Sequence, residues 1–193
     1  MKYVTWFFGL IAIVIAVVVG TILIRNIVND NNSTTQKAST TKQVVSQIKE
    51  GTALRLLVEG PVIADEKHQS MQIDITSTSR TVTLFKTYNR VEFKKSTYTN
   101  NQKAFEAFAQ ALDRAGYTSV NSEVESTKYA GECALGRVYH LEVLQSSKVT
   151  QDLWTTSCST TRSFGGNMAT VLTLFKNQIP NYLEATTGST VAR

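Results

Sequence analysis

The stretch that decides the fold is residues 71–88, MQIDITSTSRTVTLFKTY. Its apolar residues alternate with polar ones on both sides of a short polar segment; they are Met71, Ile73, Ile75, Val82, Leu84 and Tyr88. A period of two predicts strands with one buried and one solvated face, and the STS at 77–79 predicts a tight turn. The segment therefore predicts an antiparallel hairpin with one polar face.

Further strands are predicted from the same alternation before and after this hairpin. They cover residues 54–58, 91–94, 139–143 and 149–158, with a turn at 146–148. Most of them carry polar residues on one face, which is typical of antiparallel sheets with a single buried side. We therefore expect one antiparallel sheet of five to seven strands.

Two helices are predicted from apolar residues at helical spacing. Asn100 or Asn101 is expected to cap the first helix, which ends at Gly116, and Asn167 the second, which ends at Pro180. Strands followed by such helices predict an α+β domain, with both helices on one face of the sheet. We place this extracytoplasmic domain at residues 44–185, followed by a disordered tail at 186–193.

The amino-terminal segment is predicted to span a membrane. Residues Tyr3–Ile24 contain no charge, and as a helix these 22 residues would measure roughly 33 Å, enough for a bilayer core of about 30 Å. No small-x-small site follows, which favours an uncleaved signal-anchor helix at 1–28 over a cleaved signal peptide. Residues 29–43 are rich in Asn, Ser and Thr and predict a flexible polar linker.

The two cysteines, Cys133 and Cys158, are the main evidence for location. Neither has a second Cys or a His at metal-ligand spacing, so a disulfide is the favoured interpretation. A disulfide places the domain outside the plasma membrane and the amino terminus in the cytoplasm. Two buried thiols in a cytosolic domain, or one catalytic thiol, remain the alternatives.

The sequence carries no recognisable catalytic motif, and no metal or cofactor is predicted. A thiol enzyme built from Cys158, His140 and Glu142 is disfavoured, because a disulfide would block its nucleophile. His140 and His68 are both expected to be solvated, the first on a wet strand face and the second in a turn. The sequence therefore favours a non-enzymatic protein.

Two surfaces are candidate binding sites. A cationic segment interleaved with aromatic residues is a possible polyanion-binding strip; its cations are Arg80, Lys86, Arg90, Lys94, Lys95 and Lys103. The favoured alternative is that these cations protect an exposed edge strand from aggregation. A possible anion site lies at the start of the second helix, at Gly165, Gly166 and Asn167, although the glycine pair is better explained by a tight turn. The net charge of +5 gives no argument for a nucleic-acid partner, because residues 46–193 hold 16 Lys and Arg against 14 Asp and Glu, a net charge of only +2.

The carboxyl-terminal third supplies a resemblance. The segments LWTTSC at 153–158, FGGN at 164–167 and QIPNY at 178–182, preceded by GECALGRVY at 131–139, resemble single-pass envelope proteins of small-genome candidate-phylum bacteria. The resemblance implies an envelope protein whose carboxyl-terminal domain is outside, and it brings no activity, cofactor or site residue with it.

The sequence as a whole favours a tethered binding or assembly module of the cell envelope, whose partner is the lipid bilayer together with an envelope protein or glycan. An envelope hydrolase or thiol enzyme, and a surface adhesin or polyanion binder that uses the strip at 80–103, are the alternatives.

Overall fold

The computed structural model describes residues 48–121, 131–158 and 162–192. Six antiparallel strands form one sheet in the spatial order β4-β3-β2-β1-β5-β6. The strands are β1 (Thr52–Glu59), β2 (Gln69–Thr76), β3 (Ser79–Lys86), β4 (Val91–Thr99), β5 (Val138–Gln145) and β6 (Lys148–Thr156). The predicted α+β class and antiparallel sheet are therefore confirmed.

Two of the hairpins have two-residue turns. β2 and β3 are joined by the two residues Ser77 and Thr78, and β5 and β6 by Ser146 and Ser147. β1 is central, because it pairs with β2 on one side and with β5 on the other. The longest-range pairing in the sheet is therefore between β1 and β5, and it joins the two halves of the sequence.

The helices begin and end close to where they are predicted. α1 (Gln102–Arg114) is capped by the Asn101 side chain, which accepts a hydrogen bond from the Ala104 amide, and Gly116 follows it with φ +74°. α2 (Met168–Gln178) is capped in the same way by Asn167. A short helix, α3 (Tyr182–Ala185), and a 3₁₀ turn at Asp65–Lys67 complete the described elements.

The hydrophobic core lies between the helices and one face of the sheet. Its strand residues include Leu54, Leu56, Met71, Ile73, Ile75, Leu84 and Leu141, each at most 1% exposed. Phe108 of α1 meets Phe175 of α2 edge-on, with ring centroids 5.1 Å apart. Both helices therefore cover the same face, as predicted. We call it the core face, and the other face the polar face.

The carboxyl-terminal segment corrects one prediction. The tail expected to be disordered at 186–193 instead packs on the domain through residue 192: Val191 and Ala192 are buried in the core. The Tyr182 hydroxyl donates a hydrogen bond to the Ala192 carbonyl at 3.0 Å, and the Thr190 amide donates to the Gln69 side chain at 2.8 Å. The domain therefore extends beyond residue 185.

The predicted anchor at 1–28 and linker at 29–43 lie outside the described residues. Within the three described ranges, no helix is long and apolar enough to cross a membrane.

Candidate binding groove at the turn end of the sheet

An ion network lies on the polar face. The register of the sheet places Arg55 of β1 opposite Asp74 of β2 and Glu142 of β5, so the three side chains form one row. Arg55 Nε lies 2.6 Å from Asp74 Oδ1, and Arg55 Nη1 lies 3.0 Å from Glu142 Oε2. The Gln72 amide donates to the second Asp74 oxygen, Oδ2, at 2.5 Å. Both Asp74 oxygens are thus occupied.

The network is partly buried: the side chains of Arg55, Asp74 and Glu142 are 24%, 22% and 12% exposed. Burial alone would lower the pKa of Arg55. The hydrogen bond and charge of Asp74, together with those of Glu142, outweigh burial and raise the pKa above its ordinary value. The guanidinium is therefore a fixed cation between two carboxylates, and the three side chains carry a net negative charge.

A groove of about 550 Å³ opens beside this network, at the end of the sheet where β2 turns into β3 and β5 into β6. Its lining includes Arg55 and Asp74 of the network together with Ala53 and Leu144. Hydroxyl side chains make up much of the remaining lining; they are Thr52, Thr76, Ser77, Thr78, Ser79, Ser146 and Ser147.

Hydrogen bonds within the two turns fix the shape of the groove. The Thr76 hydroxyl accepts from the backbone amides of Thr78 and Ser79 at 3.2 and 2.9 Å, which holds the β2–β3 turn. On the other side, the Gln145 side chain donates to the Glu50 carbonyl at 2.6 Å and accepts from the Thr52 hydroxyl at 2.9 Å. Both turns are thus tied to the strand ends beside the groove by side-chain hydrogen bonds.

The ionisable groups that line the groove are two carboxylates and one guanidinium. Its lining contains no His and no Cys, so no general base of ordinary pKa near neutrality and no thiol faces a ligand there. No cluster of three or more His, Cys, Asp or Glu within the described ranges could hold a metal ion. The lining offers hydroxyls, the Arg55–Asp74 ion pair and the Glu50 carboxylate, all of which can form hydrogen bonds.

The two histidines differ from expectation, because both are buried. His140 is 4% exposed, and its Nδ1 lies 3.2 Å from Asp152 Oδ1. His68 is 5% exposed and stacks on the Tyr88 ring with centroids 3.9 Å apart. Tyr88 itself lies in the β3–β4 turn rather than on the predicted strand. Both histidines thus have structural contacts, away from the groove.

Cys133 and Cys158 form the predicted disulfide, with Cα atoms 5.8 Å apart. The described residues contain no free cysteine, so the thiol nucleophile of the alternative interpretation is absent. The disulfide segment also contacts the loop after β1, since the Val62 amide donates to the Ala134 carbonyl at 2.7 Å. This end of the domain is opposite the groove.

The cations of the proposed polyanion-binding strip do not share one surface. Lys94 pairs with Leu84 on the core side of the sheet, whereas the adjacent Lys95 pairs with Thr83 on the polar side. Four of the six have partners: Arg80 donates to the Thr99 carbonyl, Lys86 lies over Phe93, Arg90 donates to Gln72, and Lys94 donates to the Glu184 carbonyl. β4 is an edge strand, which agrees with the alternative that its lysines protect the edge.

The glycine pair before α2 has a packing role. A Cβ at Gly166 would collide with the carbonyl oxygens of Ala115 and Gly116 at the end of α1. The amides of Gly165 and Asn167 donate to the carbonyls of Ser119 and Ala115 at 2.8 and 2.9 Å. These two amides are therefore occupied by the protein. Arg114 and Arg162 line a pocket together with Gly165, Gly166 and Asn167, so an anion site there stays a prediction.

The groove is the feature that sequence reasoning missed. The alternation of apolar and polar residues places Arg55, Asp74 and Glu142 on solvated strand faces. This alternation was the sequence signal available for the site. The row they form depends on the pairing of β1 with both β2 and β5, which residue patterns do not specify. No protein-family model matches the chain, and no curated protein sequence matches it.

Proposed function

We propose that this chain is a membrane-tethered binding module of the cell envelope, non-enzymatic, which holds its partner in the groove at the turn end of the sheet. The groove carries the proposal. Arg55, Asp74 and Gln72 bind one another and stiffen its side, while hydroxyls from two turns line the rest. A polar wall whose side chains are already held by hydrogen bonds favours recognition, because ordering it costs a ligand little free energy.

The location rests on three supporting features. The apolar run Tyr3–Ile24 and the polar linker 29–43 would hold the domain near a bilayer and raise its effective concentration for a partner there. The Cys133–Cys158 disulfide is expected in an oxidising compartment, outside the cytoplasm. The resemblance of the last third to single-pass envelope proteins points to the same place.

Site-specific photo-crosslinking in the native envelope tests this function. The full-length chain would carry a photoreactive residue at Thr78, in the β2–β3 turn, or at the exposed Gln110 of α1 as the matched control. We expect a discrete adduct from position 78 that is lost when Arg55→Ala is added, and none from position 110. Equal adducts from both positions, or none from Thr78, would contradict the proposal.

A further inference from the structure

The geometry points to a neutral, polyhydroxylated ligand in this groove, that is, a carbohydrate, and to the β5–β6 turn as part of its binding site. The inference rests on the proposed function, because it names the ligand class of the same groove. Four observations carry it: the charge balance of the lining, its hydroxyls, the absence of a strand edge, and the conformation of the β5–β6 turn.

The charges of the lining disfavour ionic ligands. Its ionisable residues are Glu50, Arg55 and Asp74, one cation against two carboxylates. An anionic ligand would meet no net positive charge, and Arg55 already binds Asp74 and Glu142. A cationic ligand would find both Asp74 oxygens occupied by Arg55 and Gln72, which leaves Glu50 as the one lining carboxylate that could pair with it. A neutral ligand needs neither Arg55 nor Asp74 to give up its partners.

The hydroxyls match the groups of a sugar. A hydroxyl both donates and accepts hydrogen bonds, so a wall of serines and threonines complements a ligand whose own groups do the same. The side-chain hydroxyls of Ser77, Ser146 and Ser147 make no hydrogen bond to other residues of the described ranges. They are therefore available to a ligand without disturbing the turns.

The position of the groove in the sheet disfavours a polypeptide ligand. Its lining comes from the ends of β1, β2, β3 and β5 and from their turns, and the edge strands β4 and β6 contribute nothing. A peptide therefore cannot add a strand there through its main chain. The apolar side chains of the lining are only Ala53 and Leu144, which give no pocket for the aromatic anchors of a protein partner.

The β5–β6 turn holds two serines in a backbone conformation that is unfavourable for serine. Ser146 and Ser147 have φ +49° and +68°, so both lie in the left-handed region. A two-residue hairpin turn with two positive φ angles strongly prefers Asn-Gly. Serine at both positions is disfavoured for the turn itself, and strain of this kind is typically kept at functional sites. The two free hydroxyls at the rim of the groove supply the reason for keeping it.

Binding of defined oligosaccharides tests the inference. The full-length chain in lipid nanodiscs would be titrated with chitotetraose, cellotetraose and mannotetraose as neutral probes and with a hyaluronan tetrasaccharide as the anionic comparison. We expect saturable binding of at least one neutral probe and weaker or no binding of hyaluronan. The absence of saturable binding for all three neutral probes, or a preference for hyaluronan, would overturn the inference.

A turn variant separates the ligand role of the serines from their role in folding. Ser146→Asn with Ser147→Gly relieves the strain and removes both hydroxyls, so we expect a higher melting temperature together with at least a fivefold loss of affinity. Thr97→Ala, an exposed hydroxyl deletion on the polar face of β4, is the matched control and should leave affinity unchanged. Unchanged affinity in the turn variant would overturn the role of the turn.

The two proposals fail in distinguishable ways. The adduct at Thr78 can be digested with proteases and with glycan-degrading enzymes. If proteases shorten it and glycan-degrading enzymes do not, the carbohydrate inference is overturned and the binding function stands. The absence of any adduct would contradict both proposals.

Discussion

The two faces of the sheet differ in the polar side chains that they carry. On the core face, Ile73 and Leu56 are fully buried under the helices. On the polar face, one row of the same strands carries Arg55 between two carboxylates, each side chain partly exposed. Because neighbouring residues on a strand point to opposite faces, the same few residues of β1 and β2 build both. Apolar burial on the core face should therefore dominate stability. The polar face carries the ion row at its groove end and also buries Leu57, His140 and Trp154.

The largest expected effect is the loss of stability when a large side chain is removed from the core face. Phe175 is fully buried and contacts both Phe108 and Tyr117. Phe175→Ala should destabilise the domain by about 3–5 kcal/mol, since it removes a large side chain and leaves a cavity. Urea denaturation measures the change, with the exposed Asn177→Ala on the same helix as the control. A loss below about 1 kcal/mol would show that α2 contributes little to the core.

A second prediction concerns the end of the domain opposite the groove. Replacing both cysteines, Cys133→Ser with Cys158→Ser, opens a bond that spans 25 residues. The unfolded chain gains freedom, and the stability should fall by about 3 kcal/mol. Oxidised wild type is the reference in urea denaturation, and reduced wild type should match the variant. Crosslinking at Thr78 should survive, because the disulfide lies away from the groove lining; its loss would mean that the two ends are coupled.

A third, smaller effect tests the polar face. Arg55→Ala leaves Asp74 and Glu142 facing each other without their shared cation, which should cost about 1–3 kcal/mol. Lys95→Ala, an exposed residue on the same face, should change stability by less than about 0.5 kcal/mol. Asp74→Asn in the Arg55→Ala background should recover part of the loss. If Arg55→Ala lowered the free energy of unfolding as much as Phe175→Ala, the proposed contrast between the two faces would be wrong.

The same contrast explains how far the sequence could predict the structure. Alternation and Asn caps are local signals, and they located the hairpin at 71–88 and both long helices. The groove depends on Arg55 reaching Glu142, 87 residues away, through the pairing of β1 with β5. No local pattern fixes such a register. The buried tail was missed for a related reason: Val191 and Ala192 are too short an apolar run to predict packing, and only tertiary contact reveals it.

The effect that is smallest at neutral pH, where it vanishes, concerns the hydroxyl groups of Tyr117 in the core and of Tyr182 beside it. Tyr117 is 1% exposed and donates to the carbonyls of Arg55 and Glu142 at 2.7 and 2.9 Å. Burial raises the pKa of Tyr117 well above its ordinary value, and burial also raises the pKa of Tyr182 to about 12. In the unfolded chain both would ionise near pH 10.

The stability that these two tyrosines contribute is therefore fully present below about pH 10 and lost as the pH rises toward about 12, because the unfolded chain releases protons that the folded chain keeps. Urea denaturation at increasing alkaline pH should show this decline, and Tyr182→Phe should make it shallower while leaving the groove residues untouched. The wild-type decline should accompany an additional tyrosinate absorbance, from Tyr117 and Tyr182, that appears on unfolding. If the stability of Tyr182→Phe declined with pH as steeply as that of the wild type, the Tyr182 hydroxyl would ionise freely in the folded domain. It would then resemble the accessible hydroxyls of the groove and not the buried hydroxyl of the core.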